Sequence, residues 1–225
     1  MDRVELFAYL KTKAEETFSA RGLEEQGSVG SCWFTKPLDE DSVVSIALVF
    51  TSTIRTGVRY FPHVHLRIHE VEKIVAEHIL KSKKAPAVLK ALNSSSTFAS
   101  TLEYLTPEPN IQKYFAFESP EQIDRLLNQT AEDFFAYGVP FAAKYSTVPA
   151  LLKVLENPRL PEHTNIRINI FSEPVIYILA GHYAAARQFI KDNYFGPGSD
   201  TSDIRGQVPK VTYGERLLAY LDAIE

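Results

Sequence analysis

Imidazole side chains are concentrated in the segment PHVHLRIHE, residues 62–70, which holds three of the six histidines of the chain. If the segment is extended, His63, His65, Arg67 and His69 share one face of a strand, because successive side chains of a strand point to opposite sides. Two imidazoles two residues apart on one face can chelate a divalent metal ion. The same alternation is typical of an antiparallel strand with one solvated face. We prefer the second interpretation, since it needs no ligand.

The metal alternative rests on a short motif. Gly57, His63, His65 and Glu70 resemble the first motif of the cupin family, whose members hold a divalent metal inside a β-barrel. The resemblance implies a metal-dependent enzyme with His63, His65 and Glu70 as ligands, and His69 as a further candidate. The chain departs from the family because Glu77 stands where the motif closes with glycine, the period after Glu70 is helical, and no second cupin motif follows.

The solvated-strand interpretation places the apolar residues Val64, Leu66 and Ile68 in the core. If the opposite face is functional, His63, His65, Arg67 and His69 are then candidates for binding a protein partner. A second candidate surface is an acidic rim that would suit a basic partner. Its residues are Glu24, Glu25, Asp39, Glu40, Asp41, Glu132 and Asp133.

Composition limits the class of protein. A net charge of -4 and a pI near 5.9 argue against broad electrostatic binding to nucleic acid. The single cysteine, Cys32, excludes intrachain disulfides and thiolate metal clusters, and we expect it to be a buried apolar residue. No phosphate-binding glycine motif, signal peptide or membrane-length apolar run is evident, so we expect a soluble, cytoplasmic protein without a cofactor.

Strand signals dominate the first half of the chain. A helix over residues 2–20 precedes strands at 31–36 and 42–51, and residues 37–41 have the composition of a hairpin loop. A third strand runs from near Thr56 to Ile68, with a bulge, an edge or a break expected at Pro62. A helix follows from Glu70, and short strands are predicted at 97–102 and 114–117.

Helical periodicity dominates the second half. Ser119 and Pro120 mark a helix start, and this helix is expected to stop at Gly138. Further helices are predicted at 147–155 and 213–224. A helical hairpin around Gly181 resembles the inter-helix turn of a tetratricopeptide repeat. The pattern predicts an α+β fold with an N-terminal helix, a mainly antiparallel sheet of four to five strands and a mostly helical C-terminal half. We expect residues 1–118 and 119–225 to be two portions packed as one body.

Four separated segments carry a wider resemblance, spread over roughly residues 57–190. Residues 64–75, 102–107, 137–141 and 179–186 are similar to an uncharacterised bacterial domain-of-unknown-function family, and some related families act as immunity proteins in toxin systems. The resemblance implies a protein that neutralises a protein partner by covering it, without a catalytic group. Our first hypothesis is therefore a non-enzymatic, immunity-like interaction protein, with the metal-dependent enzyme as the alternative and a subunit of a larger assembly as a third.

Overall fold

The computed structural model describes residues 3–26, 31–52, 58–79, 96–107, 119–195 and 208–225. The helices of this part of the chain are α1 (Arg3–Ser19), α2 (His69–Ile79), α3 (Pro120–Asp133), α4 (Val139–Lys144), α5 (Val148–Glu156), α6 (Glu173–Leu179), α7 (Tyr183–Tyr194) and α8 (Lys210–Ile224). Its strands are β1 (Glu24–Glu25), β2 (Ser31–Pro37), β3 (Ser42–Ser52), β4 (Val58–Ile68), β5 (Phe98–Thr101) and β6 (Arg167–Ile168). Single turns of 3-10 helix cover Leu102–Leu105 and Pro161–His163, and a π-helical turn covers Phe134–Gly138. The predicted strand at 114–117 lies outside the described residues.

These strands form one sheet in the order β1-β2-β3-β4-β5-β6, which confirms the predicted α+β class. β2 and β3 pair as the expected antiparallel hairpin, with Trp33 opposite Ala47. β4 pairs with β5, so that His63 faces Thr101 and His65 faces Ala99. The two-residue strands β1 and β6, which the sequence did not predict, lie at the sheet edges. Because they are short, they present few unpaired backbone N–H and C=O groups to another chain.

Pro62 does not break its strand, contrary to one of the expected outcomes. β4 runs through it without interruption, between β3 and β5. The pairs between β4 and β5 extend from His63 to Leu66. Pro62 therefore lies one residue outside this ladder, where its missing amide hydrogen costs no hydrogen bond to β5.

The described residues group into two compact units. The first lies within Met1–Leu66, Phe98–Ser146 and Asn165–Arg167, and the second within Arg67–Thr97, Thr147–Thr164 and Ile168–Glu225. Helices α3 and α4 cluster with the sheet residues of the first unit.

Helices α1 and α3 pack on one face of the sheet in the first unit. The ring of Phe18 on α1 stacks on that of Phe34 on β2, with centroids 4.8 Å apart. The buried Tyr60 on β4 donates its hydroxyl to the carbonyl of Leu126 on α3 over 3.1 Å. Phe34 alternates with Trp33, and Tyr60 lies on the Val64 side of β4, so Trp33 and the strand histidines point to the other face.

Gly138 does not end its helix as predicted. Its φ of -67° is helical, and the chain continues through the π-helical turn into α4. A Cβ atom at this position would lie 2.9 Å from the ring of Phe134 and 3.0 Å from a methyl group of Val64. The glycine therefore allows close packing of this turn on β4 and does not terminate the helix.

Tyrosines organise the core of the second unit. Tyr194 on α7 and Tyr213 on α8 are fully buried, with ring centroids 5.5 Å apart. Each donates its hydroxyl to a backbone carbonyl just before α6, Tyr194 to Ile170 and Tyr213 to Phe171. Gly181, with a φ of 76°, joins α6 to α7, which confirms the predicted helical hairpin.

In the described part of the chain, no helix is both long enough and apolar enough to cross a bilayer.

Candidate functional site

Strand β4 separates its side chains as the sequence predicted. Val64 and Leu66 have no exposed surface and Ile68 is 4% exposed, so all three lie in the core. His63 and His65 point to the opposite face, and both are half-buried. The predicted solvated face is thus a partly covered one.

The cover over His65 comes from Trp33. The two rings are 4.4 Å apart between centroids and inclined by 38°. Because β3 lies between β2 and β4, the rings meet across a strand. Ala47, opposite Trp33 on β3, has no exposed surface. A small residue at this position lets the indole and the imidazole approach above the sheet.

His63 lies between His65 and a basic edge strand. Its ring centroid is 6.2 Å from that of His65. The exposed Arg167, on β6, acts on His63 electrostatically. Thr101 and Ala99, both half-exposed, face His63 and His65 from β5, and directly opposed residues share one side of an antiparallel pair.

We call this surface of the first unit the imidazole face. Its residues are Trp33, His63, His65, Ala99, Thr101 and Arg167.

The surroundings of both imidazoles on this face favour the uncharged form. Burial, and secondarily His63, lower the pKa of His65 to about 3. Burial lowers the pKa of His63 as well, and Arg167 adds to the effect. A neutral imidazole offers one N–H donor and one acceptor nitrogen. The imidazole face therefore combines an aromatic surface, uncharged hydrogen-bonding groups and the exposed cation Arg167.

Arg67 lies in β4 two residues after His65 and keeps the alternation of the strand, whereas His69 does not. His69 is the first residue of α2, so it does not continue the alternation of β4 as predicted, and it is exposed. Arg67 is half-buried and belongs to the second unit, where its pKa is lowered by burial and raised by Glu72. The structure thus brings together His63 and His65 from the predicted partner-binding set, with Trp33 and Arg167 as residues that the sequence did not single out.

The backbone that carries the cupin-like ligand candidates differs from that of a cupin. Glu70 lies in the first turn of helix α2 and is exposed, whereas a cupin continues as barrel strand at this point. Within the described residues, no three or more His, Cys, Asp or Glu side chains are grouped so that they could hold a metal ion.

Some residues of the predicted acidic rim make hydrogen bonds within the fold. Asp133 is buried and accepts a hydrogen bond from the side chain of Gln129 over 3.1 Å, so it is not a surface group. Asp39 accepts from the backbone amide of Asp41 and the hydroxyl of Ser42, which closes the β2–β3 turn. Glu24 and its neighbour form strand β1.

Cys32 is 2% exposed on β2. Burial, with a smaller contribution from Glu25, raises the pKa of its thiol to about 11. A thiol with this pKa is protonated at neutral pH, whereas a nucleophilic cysteine needs a lowered value. Its environment is that of the buried apolar residue expected from the sequence.

A buried carboxylate organises part of the second unit and was missed by the sequence. Glu72 on α2 is 1% exposed. Its Oε1 accepts from the hydroxyl of Thr97 over 3.0 Å and from that of Ser172 over 2.8 Å. The hydroxyl oxygen of Thr97 also accepts from the amide of Ile68. Glu72 follows the helical pattern like any surface glutamate, so no local signal marked it.

A second ionisable cluster lies at the end of α5. Nδ1 of His182 is 3.7 Å from a carboxylate oxygen of Glu156, and both side chains are nearly half exposed. They adjoin a surface depression of about 370 Å³ lined by residues 156–160. Exposed pairs of this kind contribute about 0–1 kcal/mol. We assign no chemistry to this cluster.

The fold and the site define an α+β protein whose six-stranded sheet carries an aromatic and imidazole surface on one side. Comparison of the chain with protein-family models, with curated proteins and with solved structures finds no match.

Proposed function

We propose that this chain is a non-enzymatic interaction protein that holds a protein partner on its imidazole face. The observation that carries the proposal is the half-buried Trp33, whose ring is held 4.4 Å from that of His65 on the face that also carries the exposed Arg167. Tryptophan and arginine are enriched among the residues that dominate binding energy at protein interfaces. A ring already held in place loses little conformational entropy when a partner covers it.

The electrostatics of the face support binding over acid–base catalysis. A general base works best with a pKa near the operating pH. The pKa of His65 lies near 3, so this imidazole is a weak base at neutral pH. The wider resemblance to immunity families suggests that the bound partner is neutralised by being covered. The composition suggests a cytoplasmic setting and a protein partner, because the net charge of -4 disfavours a nucleic acid.

A photo-crosslinking amino acid at Thr101 tests this function in the native cells. Thr101 is half-exposed on the imidazole face, whereas the control position Thr12 is exposed on α1, which packs on the other face. We expect one protein to be crosslinked at Thr101 and absent at Thr12, with the crosslink lost when Trp33 is replaced by Ala. Identical crosslinks at both positions, or none at Thr101, would refute the proposal.

The metal-dependent enzyme is the alternative, favoured by the 6.2 Å separation of the His63 and His65 rings on one strand. Small ring rotations could let both imidazoles reach one ion. Elemental analysis of the purified protein decides between the two. Stoichiometric metal that is lost in the His63→Ala/His65→Ala double variant would refute the interaction protein and support the metal-dependent enzyme.

A further inference from the structure

We infer that the partner segment bound by the imidazole face is acidic and places a carboxylate against Arg167. This inference rests on the proposed function and specifies the chemistry of the partner. It starts from the charges of the face, on which Arg167 is the exposed cation. An arginine fork binds a carboxylate through two parallel hydrogen bonds, which is among the strongest polar contacts in proteins.

The neutral imidazoles favour the same chemistry. A neutral His63 can donate an N–H to a carboxylate oxygen without first taking up a proton. The hydroxyl of Thr101, opposite His63, is a further donor on the same side of the sheet. Trp33 supplies an apolar surface for the adjoining part of the partner.

Other partner chemistries leave Arg167 unsatisfied. A basic segment would bring a like charge towards its guanidinium, which is unfavourable. An apolar segment would take the guanidinium out of water without a partner, and such burial of an unpaired charge is costly. A phosphate polymer would satisfy Arg167 with one phosphate, but the residues of the imidazole face offer no second exposed cation for the neighbouring phosphates.

Random peptides displayed on phage and selected on the folded full chain test the inference. A peptide is assigned to the imidazole face when its binding is lost in Arg167→Ala and kept in Arg125→Ala. Arg125 is the matched control, since it is also exposed but lies on α3, which packs on the opposite face. Trp33 is the only tryptophan of the chain, so its emission reports directly on occupancy of the face.

The expected result is that face-dependent peptides are enriched in Asp and Glu. Replacing these residues by Asn and Gln in a synthetic peptide should weaken the binding measured by Trp33 emission at least about tenfold. Face-dependent peptides that are basic or neutral would overturn the acidic partner and leave the interaction function standing. A single-stranded oligonucleotide that binds more tightly than the acidic peptides would also overturn it. If no selected peptide depends on the face, and Thr101 gives no crosslink in cells, both the inference and the proposed function fail.

Discussion

The hydroxyl of Ser172 donates a hydrogen bond of 2.8 Å to Oε1 of Glu72, one hundred residues earlier in the chain. Thr97 donates to the same oxygen, and the other oxygen, Oε2, is buried without a hydrogen-bond partner among the described residues. Burial lowers the pKa of Arg67, and the charge of Glu72 offsets part of this effect. One carboxylate thus joins the start of α2, the segment before β5 and the residue before α6 within the second unit.

Removal of this carboxylate should cost substantial stability. Replacing Glu72 by Ala leaves two buried hydroxyls without their acceptor, and we expect a loss of about 2–4 kcal/mol in the free energy of unfolding. Glu72→Gln retains one acceptor oxygen and should lose less. The control is Glu70→Ala, which removes an exposed carboxylate from the same helix. Denaturant unfolding measures all three, and equal losses for Glu72→Ala and Glu70→Ala would contradict the assigned role.

A larger side chain at position 47 should separate Trp33 from His65. Ala47 has no exposed surface and lies opposite Trp33, so a leucine there would occupy the space beneath the two rings. We expect Ala47→Leu to lower the free energy of unfolding by about 1–3 kcal/mol and to shift the emission of Trp33. Ala143→Leu, an exposed position on α4, should do neither. An unchanged emission spectrum in Ala47→Leu would show that the rings do not depend on this residue.

Acidification should destabilise the protein through His65. Its pKa is about 3 in the folded chain, against about 6.5 for a solvated histidine. Between these values the unfolded chain binds more protons, so the free energy of unfolding should fall as the pH falls from about 6.5 to 3. The slope is at most about 1.4 kcal/mol per pH unit for one group.

Unfolding measured at several pH values checks this slope. His65→Phe should flatten it, because phenylalanine does not titrate and still packs on Trp33. His69→Phe, which removes an exposed imidazole, should retain it. A His65→Phe variant with the wild-type slope would assign the acid sensitivity to other groups.

Features that depend on a single segment can be predicted from the sequence. Features that depend on a contact between two distant segments cannot. The alternation of Val64 and Leu66 with His63 and His65 identified the core side of β4, because a strand has a fixed period of two. That Trp33 covers His65 depends on the order of three strands and on the small residue at position 47. Gly138 has the local signature of a helix end, yet its role is set by the distance to Val64 on β4. Glu72 resembles a surface residue in the sequence, because its hydrogen-bond donors Thr97 and Ser172 come from distant segments.

Glu173 should give the opposite pH dependence to His65. Burial raises the pKa of its carboxyl from the ordinary 4.5 to about 7. Burial also raises the pKa values of Tyr177 and Tyr194, and the charge of Glu173 adds to this effect. The folded chain therefore binds more protons than the unfolded chain between pH 4.5 and 7. The stability contributed by the protonated carboxyl is complete below pH 4.5 and is lost as the pH rises through 7.

Glu173→Gln places a permanently neutral group of the same shape at this position. We expect the variant to be more stable than the wild type by about 1–2 kcal/mol at pH 8, and to differ little from it below pH 4.5. Glu215→Gln, an exposed glutamate on α8, should show no such pH-dependent difference. Thermal unfolding at both pH values distinguishes the cases. A Glu173→Gln variant no more stable than the wild type at pH 8 would mean that ionised Glu173 is solvated as well as in the unfolded chain.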